Sequence, residues 1–415
     1  PSDPSARPST VVLVIACTAR ADRFGAWGHE RDTTPHVDAL AAAGTRFART
    51  LSNAGWTRPA VGSLLTGLHP YAAGVDPDDP GEAFSAGLAP EALTLAERFQ
   101  QAGWATVGLT ANPNANSRLG MAQGFQRYVD TEEWRKVRIK QPGTEMVARF
   151  LEESADIEGP LYGQLLLVDA HGPLDSERLR RASLGLSPLS EGTLAERYDA
   201  ALTRLDDAML ALDRGLEAQG RGDRLLVLIG DHAEGLNTPR HAGKGHSHHL
   251  YDANLHVPWL LHGPGVAAGG VVEGLTGSVD LAPTLASLAG LPEAPGDGLD
   301  LSPWARGEAE DLPAREMIAM TRYGPVDKGR VTGEGFTLIQ TWAAGGEAVR
   351  GEVELYAAED RVQRREVSAQ HPEETMRLRR RLAEEKAALE ARALRWQGEV
   401  DDEVRGQLEA LGYVE

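Results

Sequence analysis

Val11-Val-Leu-Val-Ile-Ala-Cys17-Thr-Ala-Arg-Ala-Asp22 is the stretch whose reading decides the fold. Seven apolar residues, Val11 to Cys17, run without alternation and then stop at a polar turn. A run of that length, rich in β-branched residues, predicts a parallel strand buried on both faces. Arg224-Leu-Leu-Val-Leu-Ile-Gly230 has the same character, and Ala105–Thr110 and Leu161–Val168 add two more strand candidates. Helical signals lie between them. Thr34-Pro35 opens a helix that Gly44 closes, another is expected from Leu93 to Ala102, and Leu202, Leu205, Met209 and Leu212 give a helical stripe within Tyr198–Leu216. Val257–Leu261 is a further apolar run, and Asp280 begins a helix ending near Gly290. The alternation predicts an α/β fold with a mostly parallel central sheet flanked by helices.

The style changes near residue 310. Phe336–Gln340 and Val353–Tyr356 read as short strands between Gly-rich turns, and Glu373–Gln397 as one charged helix with Leu378, Leu382, Leu389, Ala393 and Trp396 on one side. The expected organisation is a Pro/Ser-rich segment over 1–10, an α/β catalytic domain over 11–310, and a smaller C-terminal subdomain of antiparallel sheet plus long helix over 311–415.

Ligands of open α/β sheets gather beyond the carboxyl ends of the strands. Cys17 to Asp22 follow the first strand, Asp169-Ala-His171 the one at 161–168, and Asp231-His232-Ala-Glu234 the one at 224–230. Such convergence suits a metal-assisted hydrolytic site, since rigid elements then fix several hard or borderline ligands. Seven of twelve histidines (His232, His241, His246, His248, His249, His256, His262) fall within thirty-one residues. Random scatter would put about one there, which implies a dedicated polar loop; His248, His249, His256 and His262 taken singly read better as structural. Thr57, before Arg58-Pro59 and an apolar helix, reads either as a plain N-cap or as a nucleophile whose hydroxyl a metal activates.

Composition sets the bounds. The chain of 415 residues carries 42 basic and 61 acidic side chains, a formal charge of −19, which argues against a nucleic-acid partner. Cys17 is the single cysteine, so no intramolecular disulfide and no cysteine-based zinc finger or iron–sulfur cluster can form. The seven-residue apolar run is far too short to span a bilayer. The Pro/Ser-rich start suits either a segment after a cleaved signal or lipid anchor, which favours a periplasmic or extracellular location, or the trimmed end of a cytosolic protein.

Taken in order, eight segments resemble the sulfatase family of the alkaline phosphatase superfamily. They are Thr18–Gly28 after the first strand, Thr33-Thr-Pro-His-Val-Asp-Ala-Leu40, Trp56-Thr-Arg-Pro59 with Ser63-Leu-Leu-Thr-Gly67, and Gly230-Asp-His-Ala-Glu-Gly235. Gly245-His246 with Leu250-Tyr-Asp252 and Val257-Pro258, Asp280-Leu-Ala-Pro-Thr-Leu285, Glu354-Leu-Tyr356 and Leu411-Gly-Tyr413 follow. The resemblance implies that Thr57 is the nucleophile, that Asp231 and His232 are metal ligands, and that His171 and His246 hold the transferred group. Arg58 and Asn112 go with these histidines to substrate binding. The implied substrate is a small-molecule, glycan or lipid ester of sulfate or phosphate.

The departures from the family are as informative. Its first metal-binding Asp falls on Cys17 and the next on Thr18, while Ala60 and Val61 replace the Ser and basic residue of the nucleophile motif. Thr57 is neither Cys nor Ser, so formylglycine cannot form there. Three readings of Cys17 stand open. It is a thiolate ligand joining Thr57, Asp231 and His232 in a set that favours zinc over calcium, magnesium or manganese. It marks a site that has lost its metal. Or it is an engineered Asp→Cys replacement. The functional readings are correspondingly two: a metal-dependent hydrolase using Thr57, or a catalytically inactive sulfatase-fold protein that binds or scaffolds.

Overall fold

The computed structural model describes residues 7–76, 86–134, 141–172, 174, 184, 193–236, 245–293, 295–324, 326–343, 352–400 and 402–410. Its strands are β1 (Thr10–Ala16), β2 (Thr45–Leu51), β3 (Ala105–Thr110), β4 (Arg127–Val129), β5 (Leu161–Leu167), β6 (Arg224–Gly230), β7 (His256–Val257), β8 (Trp259–His262), β9 (Gly270–Gly277), β10 (Met317–Tyr323), β11 (Val326–Thr332), β12 (Phe336–Ala343) and β13 (Val353–Ala357). The first nine form one sheet in the order β4-β3-β5-β1-β6-β8-β2-β7, with β9 paired to β2. All pairs from β4 to β6 are parallel, and β8 joins β6 and β2 antiparallel. This is the expected α/β architecture.

Every residue of β1 is buried, as its apolar run requires. β5 lies on one side of it and β6 on the other, with Ala16 opposite Leu167 in one and Gly230 in the other. The chain reaches these neighbours by connections on either side, and such a switch point opens a crevice at the strand ends. Gly230 fits there because a Cβ would sit 2.8 Å from Val257 Cβ. Capping sharpens the helix ends. Thr94 with Glu97, and Thr193 with Glu196, make capping boxes, so the helices run Leu95–Gln101 and Leu194–Ala218.

The C-terminal sheet has four antiparallel strands, β10-β11-β12-β13. Sequence patterning anticipates only β12 and β13. β10 and β11 are hidden from it because their buried positions include Thr321, Arg330 and Thr332, with Arg330 hydrogen-bonded to Asp252 and to Leu250 O. The charged helix is also shorter than expected, Pro372–Ala391. Leu378, Leu382 and Leu389 bury against Met320, Val331, Leu338 and Leu355. Trp396, past the helix end, packs on the main core instead, and Leu408 returns to the same core.

Candidate active site

Cys17 follows β1 directly, and its N–H still donates to Leu167 O in β5 at 2.9 Å. Thr18 then takes a left-handed backbone (φ 60°), unusual for a branched residue, which ends the strand abruptly. In this bend the Thr18 N–H donates to Asp231 Oδ1 at 3.0 Å and its hydroxyl to Cys17 O at 2.7 Å. The second family carboxylate position is thus occupied by a hydroxyl turned back onto the main chain. Among the described residues, one group can hold a metal ion. Sγ of Cys17, a carboxylate oxygen of Asp231 and a ring nitrogen of His232 lie within 4.8 Å of one another, all buried.

The donors are oriented for that task. The His232 Nδ1 faces Ala233 O at 3.1 Å; a carbonyl only accepts, so the proton is on Nδ1 and the Nε2 lone pair points into the cluster. Burial, reinforced by the charge of His246, pushes the His232 ring down to about 3, which keeps it neutral. Asp231 Oδ1 accepts from Thr18 and, at 2.7 Å, from the His232 N–H. Asp231 Oδ2 is buried with no N–H or O–H donor among the described residues, 3.5 Å from His232 Nε2, and the Cys17 thiol bears on the same carboxylate. Burial raises this carboxyl to about 6 although the His232 and Thr18 amides oppose it. Burial and the Asp231 charge likewise push the Cys17 thiol well above its ordinary value. A buried oxygen without an N–H or O–H donor, beside an imidazole lone pair and a sulfur, is what a divalent cation would satisfy. The residues fit such an ion.

Thr57 is the first residue of the buried helix Thr57–Thr66, and the N-cap is Trp56. The plain N-cap reading of Thr57 is therefore corrected. Its hydroxyl instead lies 3.2 Å from His232 Nε2 and 3.6 Å from Cys17 Sγ. Asn112, just beyond β3, donates from Nδ2 to both Thr57 Oγ1 (3.3 Å) and Cys17 Sγ (3.4 Å). Arg58 is buried and donates to Ala86 O at 2.7 Å and Asn114 Oδ1 at 3.3 Å. Asn114 N in turn donates to Asn112 Oδ1, so Arg58 braces the loop that carries Asn112.

His171 and His246 are brought together, ring centroids 5.5 Å apart, with His246 4.5 Å from His232. The His171 Nδ1–H donates to Gly172 O at 2.7 Å. His246 turns Nδ1 to Glu234 Oε2 at 3.3 Å, while Glu234 Oε1 accepts from Gly235 and Gly245 N–H at 2.9 and 2.6 Å. Despite burial, these contacts, led by His246, hold the Glu234 carboxyl down at about 2. Glu234 is a candidate-site residue that sequence reasoning passed over as a partner of His246, though its Asp-His-Ala-Glu setting was the available signal.

Two acids expected at the strand ends do not join the cluster. Asp22 pairs with Arg20 at 2.6 Å, and Asp169 Oδ1 accepts from Gly143 N at 3.1 Å and faces Arg204 at 3.4 Å. The histidines read singly as structural have contacts away from the donor set. His248 packs edge-on to Tyr323, and His256 Nε2 meets Ala48 O at 3.3 Å. His241 lies outside the described residues.

Fold and site together define an α/β protein with, among the described residues, one metal-capable centre at the switch point of its main sheet. The family model described as Sulfatase matches residues 9–291, and the chain belongs to the sulfatase family. It is 29% identical over 365 residues to arylsulfatase A of Homo sapiens, spanning 77% of this chain and 71% of that protein. It is 30% identical over 172 residues to the low-salt glycan biosynthesis sulfotransferase Agl7 of Haloferax volcanii, spanning 40% of this chain and 42% of that one. The phosphonate monoester hydrolase of Agrobacterium radiobacter shares the fold with a TM-score of 0.71 at 19% identity, covering 93% of this chain and 96% of that one.

Proposed function

We propose that the chain is a metal-dependent hydrolase of sulfate or phosphate esters that uses Thr57 rather than formylglycine as nucleophile. One observation carries the reading: the Thr57 hydroxyl stands beside Cys17 Sγ and His232 Nε2 at the mouth of a buried S/O/N donor set. Cys17, Asp231 and His232 would hold the ion, with Thr57 Oγ1 next to it. The thiolate supplies the single negative charge of the family's Asp while favouring zinc over hard cations. A divalent ion bound there lowers the pKa of the Thr57 hydroxyl and offsets charge on the non-bridging oxygens.

The chain's own groups do the rest. Asn112 Nδ2 orients Thr57 Oγ1. Once its proton has passed to water, that oxygen forms a bond to sulfur or phosphorus as the bond to the leaving oxygen breaks. His171 and His246 hold the transferred group's oxygens, and one of them delivers a proton to the leaving oxygen. Water then cleaves the ester formed on Thr57. Capture by a second alcohol instead would make the protein a transferase, an outcome the resemblance to a glycan sulfotransferase keeps in view. The substrate class is a small-molecule or glycan ester. No helix among the described residues is long and apolar enough to cross a membrane.

The test is a panel of aryl sulfate, phosphomonoester, phosphodiester and phosphonate substrates, each with zinc, manganese or calcium. Turnover with zinc that disappears in Thr57→Ala supports the reading. A blank panel with metal-loaded protein would move the chain to the other reading, an inactive binding protein on the same fold.

A further inference from the structure

Away from this centre, three guanidinium groups surround one carboxylate. Asp252 is buried; Arg330 bonds it directly, Arg49 Nη2 lies 3.7 Å from its Oδ2, and Arg361 Nη1 lies 4.0 Å from the same oxygen. Three positive charges against one negative leave the cluster with an excess of two. Arg49, on β2, keeps a buried Nε without a hydrogen-bond partner among the described residues. Burial, with Arg361 and Arg330 adding to it against the pull of Asp252, brings its guanidinium down to about 10. Both Arg49 and Arg361 line a cavity of about 340 Å³ between the β2–β9 edge and the turn at Gly333.

The remaining cations around the cavity are already matched. Arg315 takes both oxygens of Asp280 at 2.8 and 3.0 Å, so its charge is balanced. Two exposed carboxylates, Glu273 and Glu334, stand on the lining as well. Their two charges formally offset the excess at the rim, so the site is suited to a compact anion seated directly between Arg49 and Arg361 and not to an extended polyanion.

We infer that this cavity is a second oxyanion site, separate from the Thr57 centre, where Arg49 and Arg361 take one compact sulfate or phosphate group. The group comes either as the inorganic ion or as the head of a small monoester. The site does not depend on the chemistry proposed for Thr57. It meets the segment that carries His246 through Asp252 and through Arg330, whose Nη1 donates to Leu250 O at 2.8 Å.

The test is calorimetric titration of the full chain with inorganic sulfate, inorganic phosphate and methyl phosphate at constant ionic strength. A His171→Ala/His246→Ala background removes the oxyanion contacts of the reaction centre. One saturable site is expected to remain, weakened about tenfold or more by Arg361→Gln and tightened by Glu334→Gln. Arg361 is half exposed and touches Asp252 only at 4.0 Å, so its loss should leave the melting temperature unchanged. Arg49→Gln is read beside it, with its own melt. Equal binding of phosphate and methyl phosphate points to the group alone; binding of the ester only points to a monoester ligand. Absence of saturable binding in that background, or binding that Arg361→Gln and Arg49→Gln leave unaltered, overturns the site.

Discussion

Cys17 Sγ and Thr57 Oγ1 lie 3.6 Å apart, forty residues distant in sequence, and share one donor in Asn112 Nδ2. A thiol where the family keeps a carboxylate therefore adjoins the hydroxyl proposed as the nucleophile. On the proposed function, replacing Cys17 should alter the ion the site prefers and the setting of Thr57 Oγ1 together.

The first prediction concerns that ion. Protein purified without chelator is expected to carry near-stoichiometric zinc by elemental analysis, and Cys17→Ala to lower zinc affinity by at least about tenfold, since a thiolate is the softest donor present. Cys17→Asp should trade zinc preference for magnesium or calcium. Wild type that stays metal-free after zinc addition would remove the thiolate-ligand reading.

The second concerns the nucleophile. Thr57→Ala should lower kcat by about 10³-fold or more, with Thr57→Ser keeping part of it, because only the hydroxyl forms the covalent ester. Thr57 starts its helix without capping it, so the melting temperature should change little. Unchanged turnover in Thr57→Ala would place the chemistry elsewhere.

Glu234 is expected to act by positioning. Glu234→Gln keeps the size but presents an amide, and breaks the fixed arrangement of His246 Nδ1 with Gly235 and Gly245 N–H. A fall in kcat of about 10- to 100-fold with KM little altered is expected, the scale seen when an orienting partner of an imidazole is removed. Equal loss in a Glu234→Asp variant and a collapsed melt would mean the residue is structural only.

A fourth prediction concerns stability. Burial depresses the His69 ring from 6.5 to about 4, although Asp297 and Glu385 pull the other way. The unfolded chain therefore binds the proton first as pH falls. The stability from neutral His69 is fully present above 6.5 and is lost as pH drops toward 4. At about 1.4 kcal/mol per pH unit, the whole loss is about 3 kcal/mol. Denaturant melts of wild type and His69→Gln should converge across that window. Parallel curves throughout would show that His69 carries no such linkage.

The central strands β1, β3, β5 and β6 were legible because burial on both faces demands apolar runs, and that demand is local. β2, β4 and β9, only partly buried, carry no such run and were not anticipated. The same logic failed at β10 and β11, where Arg330 and Thr332 are buried through hydrogen bonds rather than through apolarity. It also overran the C-terminal helix, since Ala393 and Trp396 keep the apolar spacing after the helix has ended at Ala391.

By itself the sequence determined which strands lead into Cys17, His171 and Asp231-His232, that Thr57 opens an apolar helix, and that position 57 carries neither Cys nor Ser. Only the tertiary structure decided which of those polar groups meet. Parallel register sets Ala16 against Gly230 and so brings Cys17 beside Asp231, 214 residues away, while the left-handed turn at Thr18 lets its N–H donate to the Asp231 carboxylate. Asp22 and Asp169, equally well placed in sequence, were drawn off by Arg20 and by Gly143 with Arg204. The direction of a side chain beyond a strand end depends on the partners other elements bring to it, and no local pattern encodes those.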